Sequence, residues 1–237
     1  MWKIIASNKQ SARENMAYDK ELLDSLQPGD GPILHLYEWE RPSATYGYFI
    51  KPGDFFELNK VEDLGLDIAR RPTGGGIVFH LFDLAFSVLI PSDHPAYSKN
   101  TLDNYAFVNR GVIAAIKPLI QGRCELLPQD PQPQAPDCQH YCYAKPTIYD
   151  VMLEGKKVAG AAQRRKKQGF LHQGSIAIAP PDIALLSQVL KRQGGVMEAM
   201  SQTTHTLLPQ DFTPDQLSLL RETIKERLIT TFQQGLS

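Results

Sequence analysis

Arg70-Arg71-Pro72-Thr73-Gly74-Gly75-Gly76-Ile77-Val78-Phe79-His80 sets three consecutive glycines between paired arginines and an apolar run that ends in histidine. Glycine loses more conformational freedom on folding than any other residue, so three in a row mark backbone that turns sharply or meets something closely. Ile77, Val78 and Phe79 suit a pleated, buried surface and predict a strand. The stretch reads as a cationic glycine loop feeding a core strand, a candidate cradle for a ligand. Neither G-x-x-x-x-G-K-[ST] nor G-x-G-x-x-G occurs, which sets aside the phosphate loop and the dinucleotide fingerprint. The competing reading is a glycine hairpin without a ligand; Arg70, Arg71 and His80 favour binding.

Outward from this loop, periodicity predicts an alternation of helices and strands. Ser11 and Glu14 have capping-box spacing ahead of a helix carrying Met16, Leu22, Leu23 and Leu26, which Pro28-Gly29-Asp30-Gly31-Pro32 stops. Strands are predicted at Ile33–Tyr37, Thr45–Ile50, Ile68–Arg71, Ile77–His80 and Ala85–Ile90, and helices at Phe55–Leu66 and Tyr105–Ile120. Four prolines between Pro128 and Pro136 exclude regular structure and predict a long irregular loop. Further strands are expected at Tyr149–Leu153, Lys157–Ala161 and Gly174–Ile178. Thr213-Pro214-Asp215-Gln216 starts a last helix, whose Leu217, Leu220, Ile224, Leu228 and Phe232 form one apolar face for the core.

The 237 residues suffice for one large domain with a substantial core. Hydrophobic residues at 42%, charged residues at 22% and a net charge of -1 describe a globular protein and give no reason to expect nucleic acid as partner. No apolar run reaches the roughly 20 residues of a membrane span, and the N-terminus has no signal-peptide pattern, so the expected location is cytoplasmic. Cys124, Cys138 and Cys142 are too few for a disulfide framework. Cys138, His140 and Cys142 fall short of the four ligands of a structural zinc site, so no metal is expected and a reactive thiol is the better question.

Lys157 lies in Gly155-Lys156-Lys157-Val158-Ala159-Gly160, on a predicted strand beside a tight turn. A lysine there is ordinarily solvated. Gly160, however, leaves space for close approach, and a lysine pointed into a cleft places a cation on a developing oxyanion or phosphate. Leu171-His172-Gln173-Gly174-Ser175 adds two polar side chains ahead of the next strand.

Taken together, Arg70–His80, Gly155–Gln163 and Leu171–Ile176, with Asn15-Met16-Ala17 and Gly47-Tyr48, resemble the biotin/lipoate protein ligase superfamily, in its lipoate ligase and octanoyl/lipoyl transferase branch. The blocks keep the family's order over roughly residues 1–180. The resemblance implies an α/β (α+β) catalytic domain of mainly antiparallel sheets flanked by helices over 1–180, with 181–237 a helical extension packed on it. It implies attachment of an octanoyl or lipoyl group to a lysine of lipoyl domains of 2-oxoacid dehydrogenases or of the glycine-cleavage H protein. The implied substrate-binding residues are Arg70, Arg71, Thr73, Gly74, Gly75, Gly76, His80, Gly160, Gln163, His172, Gln173 and Gly174, and Lys157 contacts the activated acyl carbonyl or its phosphate.

Two routes of activation remain open. A transferase takes an acyl thioester, for instance from acyl carrier protein, through an enzyme cysteine and needs no cofactor. A ligase makes an acyl-adenylate with ATP and Mg. Cys142, ahead of Pro146 and Tyr149, resembles the transferase cysteine, and Tyr149 and Gln163 point the same way, whereas Asp150 resembles the ligases. The order His172-Gln173 is reversed relative to the transferases, and 181–237 is too short for a ligase's accessory domain. The transferase reading leads. A non-catalytic paralogue that binds lipoyl domains is the third reading.

Overall fold

The structure is a computed structural model that describes residues 1–129, 141, 143–144, 146–191 and 195–235. Its strands are β1 (Lys3–Gln10), β2 (Ile33–Trp39), β3 (Ser43–Tyr46), β4 (Asp67–Arg70), β5 (Ile77–His80), β6 (Asp83–Pro91), β7 (Cys124–Leu126), β8 (Val151–Leu153), β9 (Lys156–Lys166) and β10 (Gly169–Ala177). The helices are α1 (Ala12–Ser25), α2 (Leu58–Asp63), α3 (Thr101–Ile116), α4 (Ile183–Val189), α5 (Val196–Thr203) and α6 (Pro214–Gln234). Seven strands form one sheet in the order β1-β2-β6-β10-β9-β8-β7, and three form another in the order β4-β3-β5. Among the described residues only the β1–β2 and β3–β4 strand pairs are parallel, so the mixed, mainly antiparallel α/β architecture that the family resemblance implies is the one found.

The two central strands, β6 and β10, are buried along their whole length, which requires cover on both faces of the sheet. Alternation along β10 separates the two covers. Phe170 and Ile176 join the core built by α3 and α6, while Leu171 packs with Leu22, Leu23 and Leu26 on the side of α1. The face predicted for the last helix is used as expected: Leu217, Ile224, Leu228 and Phe232 are buried in the α3 core. Both predicted capping boxes are present, Ser11 with Glu14 and Thr213 with Gln216.

Several boundaries move for identifiable reasons. The helix expected over Tyr105–Ile120 begins earlier, where the Asn100 side chain accepts from Leu102 N, and gives way before Pro118 to a 3-10 turn. Phe55–Leu66 is helical only from Leu58 to Asp63, after a 3-10 turn at Pro52–Asp54. Strand β3 stops at Tyr46, because Tyr48 N turns to donate to Thr73 O. Tyr149 has a left-handed φ of 67°, which delays β8 to Val151. The sequence reading missed β1, β7, α4 and α5, and it cut β9 and β10 short. Most of the Pro128–Pro136 loop lies outside the described residues.

Candidate active site

The glycine loop closes on itself through Arg71. Its buried guanidinium donates from Nη1 to Thr45 O (2.9 Å) and Oγ1 (2.8 Å), and from Nη2 to Gly74 O (3.1 Å) and Gly76 O (2.7 Å). A planar fork with five donors can gather carbonyls in this way. Gly75 takes φ +85°, a backbone conformation that disfavours any side chain. Gly47 is packed so closely on the loop that a Cβ there would sit 2.0 Å from Gly75 O. Arg70, by contrast, is exposed, with its guanidinium over the Tyr48 ring.

From Arg71 a chain of buried polar groups runs along the floor of the site. Thr45 Oγ1 meets His80 Nε2 at 2.8 Å, and His80 Nδ1 meets Asp83 Oδ2 at 2.7 Å. Ser175 Oγ donates to the same Asp83 oxygen (2.6 Å), and Tyr143 Oη meets Ser175 Oγ at 2.7 Å. A second chain starts at Thr73, whose Oγ1 donates to Gln173 Oε1 (2.7 Å). Gln173 Nε2 donates to Asp19 Oδ2 (2.6 Å), Ser87 Oγ donates to that oxygen (2.5 Å), and Asp19 Oδ1 meets His35 Nδ1 (2.8 Å). Buried polar groups are costly unless paired, and these two chains pair them while fixing the loop to α1, β6 and β10.

Lys157 is 1% exposed. Its Nζ lies 2.7 Å from Asp150 Oδ2 and 5.7 Å from the centre of the Tyr143 ring. Strand alternation alone would put Lys157 and Gly160 on opposite faces. An irregularity in the β8–β9 register, where Val151 pairs Ala159 and Met152 pairs Lys157, brings them onto one face. The lysine then lies along Gly160, where a Cβ would fall 2.3 Å from Cε and 2.5 Å from Nζ. Asp150 also accepts from Thr147 N (2.7 Å). Burial nevertheless pushes its carboxyl above the ordinary range, against the opposing pull of Lys157 and Thr147.

A narrow cavity of about 40 Å³ joins much of this set, with Arg71, Gly75, Gly76, His80, Gly160, Gln173 and Gly174 on its wall. Thr73 adjoins it through Gln173, and Gly74 through its carbonyl on Arg71. His80 also walls a second cavity of about 300 Å³, beside Trp39, whose ring stacks on it at 4.2 Å. Gln163 and His172 do not join the cavity. They pair with each other across β9 and β10 (Gln163 Nε2 to His172 Nδ1, 2.9 Å), on the face covered by α3, next to Phe86 and Tyr105. Full burial pulls the pKa of His172 down to about 3.

Cys138, His140 and Cys142 lie outside the described residues. The neighbours of Cys142 are placed: Tyr141 bridges Ile77, directly after the glycine loop, and Tyr143 reaches Ser175 and Lys157. Cys124 is half-buried on β7, and burial pushes its thiol up to about 11. Among the described residues there is no group of three or more histidine, cysteine or carboxylate side chains able to hold a metal ion, and no helix is long and apolar enough to cross a membrane.

Sequence reasoning missed Asp19, Thr45, Asp83, Tyr143 and Ser175. Asp19 was within reach, since it sits one helical turn after Asn15 on the same face. Thr203 Oγ1 donates to Tyr143 O (2.6 Å) and His205 N to Lys157 O (2.8 Å), ties from beyond residue 180 that nothing in the sequence signals.

Residues 11–232 match the model of the lipoyl protein ligase A/B catalytic domain. The octanoyltransferase LipM of Carboxydothermus hydrogenoformans is 31% identical over 99% of this chain and 86% of its own length. LipM of Anoxybacillus flavithermus is 29% identical over 100% of this chain and 87% of its own. Among solved structures, protein Ta0514 of T. acidophilum with bound lipoic acid superposes with a TM-score of 0.69 at 26% identity, covering 98% of this chain and 86% of that one. A lipoate-protein ligase A bound with ATP gives 0.70 at 25% identity, covering 98% and 85%.

Proposed function

The chain belongs to the lipoyl protein ligase A/B catalytic-domain family, and from that premise we propose that it moves an octanoyl or lipoyl group from a thioester donor to a lysine of a lipoyl domain by way of Cys142. The Cys142 thiolate attacks the donor carbonyl, the tetrahedral oxyanion collapses, and the donor thiol leaves with a proton. The uncharged lysine amine of the acceptor then attacks the acyl-Cys142 carbonyl, an amide forms, and the cysteine thiol is restored. No cofactor is consumed in either half.

The observation that carries this reading is the ammonium of Lys157, desolvated over Gly160 and beside Tyr143, the residue after Cys142. A fixed cation in a dry site stabilises an oxyanion far better than one in water, and it also favours a thiolate over a thiol. Arg71, Thr45 and Thr73 hold the glycine loop as the wall along which the acyl chain lies. The octanoyltransferase relatives support the same chemistry.

Asp150, the partner of Lys157 and a residue that resembles the ligases, supports a second reading, ATP-dependent ligation, in which Lys157 holds an acyl-adenylate made with ATP and Mg and Cys142 is dispensable. Intact-mass measurement of a lipoyl domain, or of the glycine-cleavage H protein, separates the two. The transferase reading expects one octanoyl added from octanoyl-acyl carrier protein without ATP, an acyl adduct on the enzyme, and loss of both in Cys142→Ser. Wild-type transfer by that variant, or modification only with free lipoate and ATP, would refute it. Binding without turnover by any donor would mark the non-catalytic paralogue.

A further inference from the structure

An acceptor lysine arrives as an ammonium, with an ordinary pKa of about 10.4, and must shed a proton before it attacks. Lys157 supplies the site with a cation and is no base, since its Nζ is buried 2.7 Å from Asp150 Oδ2. That oxygen also accepts from Thr147 N and Oγ1. A second carboxylate, Asp83, stands behind the narrow cavity of the glycine loop. Ser175 pairs with Gly160 across β9 and β10, and both line that cavity. Residues directly opposite in an antiparallel pair share a face, about 5 Å apart. The Ser175 hydroxyl and the Lys157 ammonium, which lies over Gly160, therefore flank the same spot. Ser175 Oγ donates its one proton to Asp83 Oδ2 (2.6 Å), so it accepts from Tyr143 Oη (2.7 Å) and keeps one lone pair for the cavity. Asp83 Oδ2 also meets His80 Nδ1 (2.7 Å), whereas the buried Oδ1 has no hydrogen-bond partner among the described residues. An unpaired buried carboxylate oxygen costs stability and calls for a reason. Asp83 also walls the second cavity, which reaches solvent past the exposed Glu40 and Arg41.

We propose that Ser175 and Asp83 form the proton exit of the amide-forming step. Ser175 Oγ takes a proton from the acceptor ammonium as it passes its own to Asp83, and the proton leaves by way of the second cavity. The ammonium loses two protons in all: one restores the cysteine thiol, and the other goes to Asp83. The new C–N bond replaces the C–S bond, whose electron pair returns to sulfur. Tyr143 aims the serine hydroxyl, and His80 holds the carboxylate. Of the other groups that face Asp83, Arg221 on α6 donates from Nε to its carbonyl (2.9 Å), and Arg71 is one hydrogen bond beyond Thr45. Burial holds the Tyr37 phenol well above its usual range, so it stays uncharged. Across the second cavity Lys9 and Arg41 stand with Glu38, Glu40 and Asp182, which leaves no strong field of one sign over the carboxyl. The inference takes its donor from the acyl-transfer reading, but amide formation from an adenylate needs the same deprotonation.

The test is Asp83→Asn, whose amide oxygen still accepts from Ser175 and His80 but takes up no proton. Loading of the enzyme from octanoyl-acyl carrier protein and transfer from the loaded enzyme to a lipoyl domain are timed separately in single turnovers. At pH 7 the variant's transfer should fall about 100-fold, while its loading rate and its KM for the lipoyl domain match the wild type. The deficit should shrink by about tenfold for each unit of rising pH, because more of the acceptor then arrives uncharged. Ser175→Ala, which cuts the link from the cavity wall, should show the same pH-dependent deficit and serves if Asp83→Asn does not fold. Undiminished transfer, an equal loss in loading, or a deficit of the same size at pH 7 and pH 9 would overturn the inference. A wild type that forms no acyl adduct but modifies the domain with lipoate and ATP would refute the transfer reading alone, and the same pH comparison with that donor then decides the proton exit. Turnover with neither donor would overturn both.

Discussion

Replacing Gly160 by alanine tests whether Lys157 is held where the oxyanion chemistry needs it. The added methyl would stand 2.3 Å from Lys157 Cε, 2.5 Å from Nζ and 3.0 Å from Asp150 Oδ1. Carbon contacts settle at about 3.5–4 Å, so the end of the lysine must move by about 1 Å or more. In the wild type Nζ is 2.7 Å from the carboxylate and both side chains are buried, so that movement opens the ion pair. With an effective dielectric constant of about 20, opening the pair from 2.7 to about 3.7 Å removes about 1.5 kcal/mol of attraction. A lost charge-assisted hydrogen bond adds about 1.5 kcal/mol or more. Gly160→Ala should therefore destabilise the fold by about 3 kcal/mol, within the range for breaking a buried pair, and reduce octanoyl transfer far more than the folded fraction accounts for. Urea unfolding gives the first quantity and single-turnover transfer at a temperature where the variant is folded gives the second. A variant within about 0.5 kcal/mol of the wild type and equally active would show that Lys157 has another seat, and the reasoning would fall.

Arg71→Lys keeps the charge but not the fork that reaches Thr45, Gly74 and Gly76. It should cost about 3 kcal/mol in urea unfolding, from the loss of about two charge-assisted hydrogen bonds, and raise the KM for the donor. His172, with its pKa pulled down to about 3, stays neutral in the folded protein while the unfolded chain takes up a proton below its ordinary value of 6.5. Its contribution to stability is thus present above pH 6.5 and is lost as pH falls, by about 1.4 kcal/mol per unit. His172→Gln should flatten the unfolding free energy between pH 6.5 and 4.5 relative to the wild type; parallel curves would contradict this. Thr213→Ala removes the capping box of α6 and should lower stability by about 1 kcal/mol while leaving the transfer rate of the folded enzyme unchanged.

Much of this architecture was legible because local chemistry and tertiary packing agree. The capping boxes at Ser11 and Thr213, the apolar stripe of α6 and the strand after the glycines each obey a rule that neighbours enforce and distant residues do not contradict. The edge strand β1 escaped notice since Lys3, Lys9 and Gln10 break its apolar pattern, and it is defined by the register of β2. At the site, the sequence identified the glycine loop, Lys157 and Gly160 as belonging together. It did not show that Arg71 turns inward to fasten the loop, because the direction of a side chain depends on which carbonyls the fold gathers around it. Gln163 and His172, adjacent to the site in sequence, face away from it by strand alternation, whereas Gln173 and Ser175 face inward on the same strand. Asp83 and Thr45 gave no signal at all. Their roles exist only once β3, β5, β6 and β10 are assembled around His80.

The chain contains two tryptophans, and their positions make them separate optical reporters. Trp39 stacks on His80 at 4.2 Å on the wall of the second cavity, while Trp2 lies 4.7 Å from Phe232 near the end of α6. With Trp2 replaced by phenylalanine, the intrinsic emission would follow events around His80 alone. The converse variant would follow the docking of the last helix. One protein thus allows events around His80 and the docking of its C-terminal helix to be timed against each other, without an added dye.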